Sequence, residues 1–181
     1  MPEPTWTLYL DDSFTHADTS VDATPKSNGG VPTTPATGAA NNWYDWQGNK
    51  FRINSNQLDR PGGSSGWVGT ALYRGGSEAY RDQRIVVDYP AGSQPGAIYL
   101  RFDASTSACI WFNQPTGGYL AYLNALGSFG GNTGSWTWTW DNTHTYQSDC
   151  RVWGASPTNW AITITDTTTS TVVVNSSGTL S

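Results

Sequence analysis

Indoles and hydroxyls alternate strictly from Ser135 to Trp140 (Ser-Trp-Thr-Trp-Thr-Trp), and a period of two is the mark of a strand. Successive side chains of an extended chain point to opposite faces, so Trp136, Trp138 and Trp140 share one face, about 6.5–7 Å from one to the next. Ser135, Thr137 and Thr139 share the other. Such a row can be a slab of core under a second sheet, or an open platform on which sugar rings or bases stack. Burial is the favoured reading of this row taken alone, because aromatic side chains dominate interiors energetically.

Similar short-period signals recur along the chain. Residues 5–10, 43–46, 51–53, 57–58, 67–68 and 71–73 predict short strands, and the β-branched run at 83–89 predicts a longer one. Further strands are expected at 97–102, 108–112, 119–123, 135–140, 147–153, 160–165 and 171–174. Turn chemistry punctuates them at Gly48-Asn49, at 54–56, in the glycine-rich run 61–66, at Gly75-Gly76 and at 90–95. Between 15 and 42 the chain is Thr, Ala, Pro, Gly and Asn with almost nothing large and apolar, which predicts a long surface loop pinned by Pro25, Pro32 and Pro35. No helical periodicity exceeds two turns. The pattern predicts an all-β fold, an antiparallel β-sandwich, in one domain over 1–181.

Composition narrows the partners. A net charge of -5 with nine Lys and Arg lacks the basic footprint of a nucleic-acid binder and any polybasic membrane patch. No apolar run is long enough for a transmembrane helix. Charged residues are 13% of the chain, about half the usual share, and hydroxyls, amides and glycine take their place. Met1-Pro2-Glu3-Pro4 has neither the basic nor the apolar region of a secretory signal. That predicts either a leader already removed or a protein released by lysis, as a virion component would be. Cys109 and Cys150 are the two cysteines. A disulfide between them would add roughly 4 kcal/mol on the loop-entropy account, and two buried thiols packing as small hydrophobes are the equal alternative.

Two stretches carry a resemblance. Asp12-Ser13-Phe14-Thr15-His16-Ala17-Asp18 is similar to the D-x-F-x-R-A-D opening of the concanavalin A-like (laminin-G-like) jelly-roll domains of bacterial and phage proteins, with His16 where arginine is usual. Phe51-Arg52-Ile53-Asn54-Ser55-Asn56-Gln57-Leu58 is similar to the W-x-I-x-x-N-x-L hairpin of those domains, with Phe51 replacing the tryptophan. In outline the resemblance covers residues 8–181. It implies a two-sheet antiparallel jelly-roll β-sandwich, with a glycan site on the concave sheet or in the edge loops. It also implies a closing strand that ends in aspartate and phenylalanine. Nothing after Val174 matches that strand, which leaves it to later residues or to a partner chain.

Candidate chemistry follows from residue types. Glycoside hydrolysis needs two carboxyls across one bond, yet Glu3 and Glu78 are the only glutamates. The E-x-D-x-x-E strand of catalytic relatives does not occur, nor does a G-x-S-x-G elbow. A non-catalytic role is expected. Asp11, Asp12, Asp18 and Asp22 offer oxygen ligands for a hard cation, and the resemblance implies a structural calcium. Capping of local turns is the commoner use of such aspartates, and no cofactor is required.

Ten tryptophans and nine tyrosines exceed what a core of this size needs. Aromatics set in loops beside amides suit sugars, whose C–H faces lie on rings while hydroxyls meet polar groups. The stacking candidates are Trp43, Tyr44, Trp46, Trp67, Tyr119 and Trp153, and Arg74, Asp82, Asn113 and Gln114 are the polar ones. Each of these aromatics has the plugging of a sandwich end as its alternative.

The expected function is a lectin-like, glycan-binding surface domain on a virion (tail, fibre or decoration protein) or in the extracellular space. The alternatives are a carbohydrate-binding module of a secreted polysaccharide-degrading enzyme and an assembly protein without ligand. In the last case aromatic surface would contact other virion proteins or further copies of the chain.

Overall fold

A computed structural model describes residues 2–6, 43–45, 52–54, 57–59, 71–73, 82–93, 97–100, 107–113, 117–125, 128–154 and 158–180. Among them the secondary structure is all strand, with no helix. Packing divides the chain into two compact units, one of residues 1–6 with 79–181 and one of residues 7–78.

In the 7–78 unit, β1 (Trp43–Asp45) pairs antiparallel with β4 (Ala71–Tyr73). There β2 (Arg52–Asn54) and β3 (Gln57–Asp59) form a hairpin closed by Asn54 opposite Gln57. The expected strands at 5–10 and 67–68 do not appear among the described residues: 2–6 carries no strand, and the remainder lies outside them.

The larger unit holds two four-stranded antiparallel ladders. The first has the order β12-β11-β10-β5, from β5 (Gln83–Tyr89), β10 (Tyr146–Trp153), β11 (Thr158–Asp166) and β12 (Thr171–Leu180). The second runs β6-β7-β8-β9, from β6 (Ala97–Leu100), β7 (Ser107–Asn113), β8 (Gly117–Ala125) and β9 (Ser128–Trp136).

One face of the first ladder makes the core. Tyr146, Cys150 and Val152 of β10, Trp160, Ile162 and Ile164 of β11, and Val174 of β12 are buried, with Ile85, Val87 and Tyr89 of β5 packed beside them. Ile98 and Leu100 of β6 belong to the same cluster. The period-two pattern of Val, Ile and Trp thus selects the inward face as strand geometry requires.

The tryptophan row joins this core. Exposure alternates from Gly134 to Trp140, with indoles inward and Ser135, Thr137 and Thr139 exposed. Only Trp136 stays within the ladder. Beyond it the chain leaves β9 but keeps the alternation, because the partners of the indoles are rings and not strand backbone. The Trp140 ring lies 4.3 Å from that of Tyr146 and 5.1 Å from that of Trp138, and its Nε1 donates to the Ser93 carbonyl at 3.1 Å. Tyr89 meets it edge-on at 5.5 Å.

Two strands run further than their sequences suggest. β9 contains Gly130, Gly131 and Gly134, and β12 continues through Asn175-Ser176-Ser177-Gly178. Two of these glycines lie against Trp160, which is 3% exposed. A Cβ at Gly134 would overlap its Cζ2, and one at Gly178 would stand 2.9 Å from its Nε1. These two glycines leave the space that the indole fills.

Candidate functional site

In the second ladder the register sorts residues into rows across the strands. Ile98, Ile110, Leu120 and Gly134 form one row. Ile98 is buried and Gly134 lies against Trp160, so both described ends of this row are on the core side. The next row is Ala97, Trp111, Tyr119 and Ser135. Neighbouring rows occupy opposite faces of a sheet, and Ser135 is exposed. In that register Trp111 is paired with Tyr119, and Tyr119 with Ser135. Asn113 stands at the end of β7, opposite Gly117.

The remaining sugar-binding candidates are spread over both units. In the 7–78 unit Trp43 is in register with Tyr73 and Tyr44 with Leu72. Asp82 is exposed just before β5, and its Oδ1 accepts the Gly154 N–H at 2.9 Å. Gly154 has φ +80° there, a conformation that favours glycine. Trp153, its neighbour, is buried with 9% exposure and offers no open stacking face. Its carbonyl accepts from Asn159 Nδ2 at 3.4 Å. Trp46, Trp67, Arg74 and Gln114 lie outside the described residues, as do Asp11, Asp12, Asp18 and Asp22. Among the described residues no group of three His, Cys, Asp or Glu is placed to hold a metal ion. Trp111 was not among the sequence candidates. Its run Cys-Ile-Trp-Phe carries no local signal that separates one face from the other.

The outer face of the first ladder is polar and spends its charges internally. Arg84 grips Asp149 through two hydrogen bonds of 2.9 and 2.8 Å, and Gln147 donates to Asp88 at 2.8 Å. Arg151 binds Glu3 at 2.9 Å and Thr163 at 3.3 Å. The Trp6 indole N–H also donates to Glu3, at 2.8 Å, and this bond together with Arg151 holds the Glu3 carboxyl below its usual range. The hydrogen bond from Arg84 to Asp149 raises the arginine in turn.

A second polar cluster closes the end of that ladder. Asp166, 5% exposed, accepts the N–H groups of Thr168 and Thr169 with one oxygen and meets His144 Nδ1 at 2.7 Å with the other. Thr145 bonds to Thr167 and Thr168 across the same turn. The bond to Asp166 raises the His144 pKa. Burial pushes the Asp166 pKa up, but the His144 and Thr169 hydrogen bonds outweigh it and leave it lowered. With both oxygens committed to the turn and to His144, Asp166 acts as a clasp.

The signs fix a pH window. A raised histidine stabilises fully below its ordinary value of 6.5, and that contribution fades as pH rises through the folded value. A lowered aspartate stabilises above 3.8 and loses its contribution as pH falls through the folded value. The clasp is therefore strongest between about pH 4 and 6.5. Urea midpoints taken from pH 5 to 9 should fall on the alkaline side, and His144→Gln should flatten that fall. An unchanged slope in the variant would show that other groups set it.

No protein-family model, no curated protein sequence and no solved structure matches this chain.

Proposed function

We propose that this chain is a non-catalytic, glycan-binding surface domain, built as a two-sheet jelly-roll sandwich and carried on a virion or in the extracellular space. The observation that supports the reading is the register of the second ladder, which pairs Trp111 with Tyr119 and Tyr119 with the exposed Ser135. A tryptophan paired with a tyrosine offers two adjacent rings, and the described core holds its own set in Trp136, Trp140, Tyr146 and Trp160. Sugar rings stack on such positions, and hydroxyls and amides such as those of Ser135 and Asn113 select among them. The outer face of the first ladder is the weaker candidate, because a ligand there would compete with the Arg84–Asp149 and Arg151–Glu3 pairs.

A glycan-array screen of the purified chain, with and without chelator, tests the reading. Saturable binding to a defined set of saccharides is expected, and loss with chelator that Asp12→Asn and Asp18→Asn reproduce would support a calcium held by the Asp11, Asp12, Asp18 and Asp22 set. Binding that falls in Trp43→Ala or Trp67→Ala, and not in Trp111→Ala or Tyr119→Ala, would assign the site to the 7–78 unit instead. An array without any hit would favour the assembly reading, in which the same aromatic surface contacts protein.

A further inference from the structure

We propose that the outer edge of β12 pairs antiparallel with the same strand of a second copy of this chain. Among the described residues β12 ends its ladder and pairs only with β11. No other backbone hydrogen bond to it is made among the described residues. An edge strand of ten residues presents a row of N–H and C=O groups that a further strand can satisfy. Proteins usually guard such an edge with charge, proline, a bulge or shortness.

The two edges of this ladder differ in that respect. At the β5 edge, Arg84 and Asp88 stand on the solvent face, each bonded to β10. β12 reads Thr-Val-Val-Val-Asn-Ser-Ser-Gly-Thr-Leu, with no charge and no proline. Its one irregularity falls opposite Ile164 and Thr165, near the start of the strand, and from Val174 to Leu180 the register with β11 is unbroken. Asn175, Ser177 and Thr179 are exposed along that stretch.

A second copy fits this edge because β12 is its own neutral complement. A two-fold pairing sets the same patch against itself, and in any register it brings uncharged residues opposite uncharged residues. Two copies of a chain with net charge -5 repel overall, and pairing at this edge sets no like charges together. β9, the other long uncharged edge among the described residues, is broken by register shifts against β8 and carries three glycines. Pairing there would continue one four-stranded ladder into the other copy's. This inference is independent of the glycan reading.

Sedimentation of the full chain tests it. Unaltered protein should sediment as a dimer at micromolar concentration. Asn175→Lys with Ser177→Lys, both exposed and off the core, should weaken association at least tenfold with no change in circular dichroism. Asn175→Glu with Ser177→Glu should do the same, and mixing the lysine and glutamate forms should restore a heterodimer. Hydrogen exchange gives a readout without any variant: β12 amides directed away from β11 should slow as protein concentration rises. A monomer at every concentration, with β12 exchange independent of concentration, would overturn the proposal. So would a dimer that the lysine and glutamate forms leave intact.

Discussion

Replacing Trp160 with alanine should lower the unfolding free energy by about 3–5 kcal/mol, the range for deleting a large buried aromatic. The indole is 3% exposed and fills the gap bounded by Gly134, Gly178 and the tilted ring of Trp136 at 6.5 Å. Two of the three groups bounding that gap are glycines with no side chain to move into it, so the cavity term should be large. Trp160→Phe should cost much less. The Trp160 Nε1 is buried without a hydrogen-bond partner among the described residues, and phenylalanine removes that unsatisfied donor along with part of the ring. Gly134→Ala tests the same contact from the other side, and overpacking there should cost about 1–3 kcal/mol. Urea denaturation of the three variants provides the measurement. A Trp160→Ala cost within ~0.5 kcal/mol of zero, the range of surface changes, would mean the indole is not a core element.

The second large effect separates the two faces of the tryptophan row. Trp140→Ala should also cost about 3–5 kcal/mol, since it removes stacking on Tyr146, edge contacts with Tyr89 and Trp138, and the bond to Ser93. Thr139→Ala, one residue earlier and exposed, should stay within ~0.5 kcal/mol. The contrast is a direct check on alternation outside a ladder, because residues 137–140 lack strand pairing. Comparable losses for the two substitutions would show that the row is not divided into a core face and a solvent face.

Much of the strand order was legible because burial chose residues with a period of two. In β5, β10 and β11 the inward positions carry Ile85, Val87, Cys150, Val152, Trp160, Ile162 and Ile164, and those strands appear where the alternation predicts them. β9 and β12 were under-read, since Gly130-Gly131 and Asn175-Ser176-Ser177-Gly178 carry turn chemistry locally. Their extension is carried by the ladders with β8 and β11, and the need for glycine at Gly134 and Gly178 comes from Trp160, which no local signal announces. The same limit applies to sites. His144 and Asp166 are joined only through the ends of β10 and β11, where Tyr146 is in register with Asp166. Trp153 precedes a turn and so reads as a loop aromatic, whereas packing buries it. No local signal sets Trp111 apart from its neighbours in Cys109-Ile110-Trp111-Phe112, because its pairing with Tyr119 is a property of the ladder.

The most direct test of the glycan reading is a binding titration with a saccharide selected on the array. The unaltered chain would be compared with Trp111→Ala and Tyr119→Ala, and urea midpoints would be measured alongside. Saturable binding that weakens about tenfold or more in each variant, some 1.4 kcal/mol per ring, with little change in midpoint, is the predicted result. Equal affinity in all three proteins would contradict the assignment of this row as the platform, and no binding by the unaltered chain would contradict the function itself.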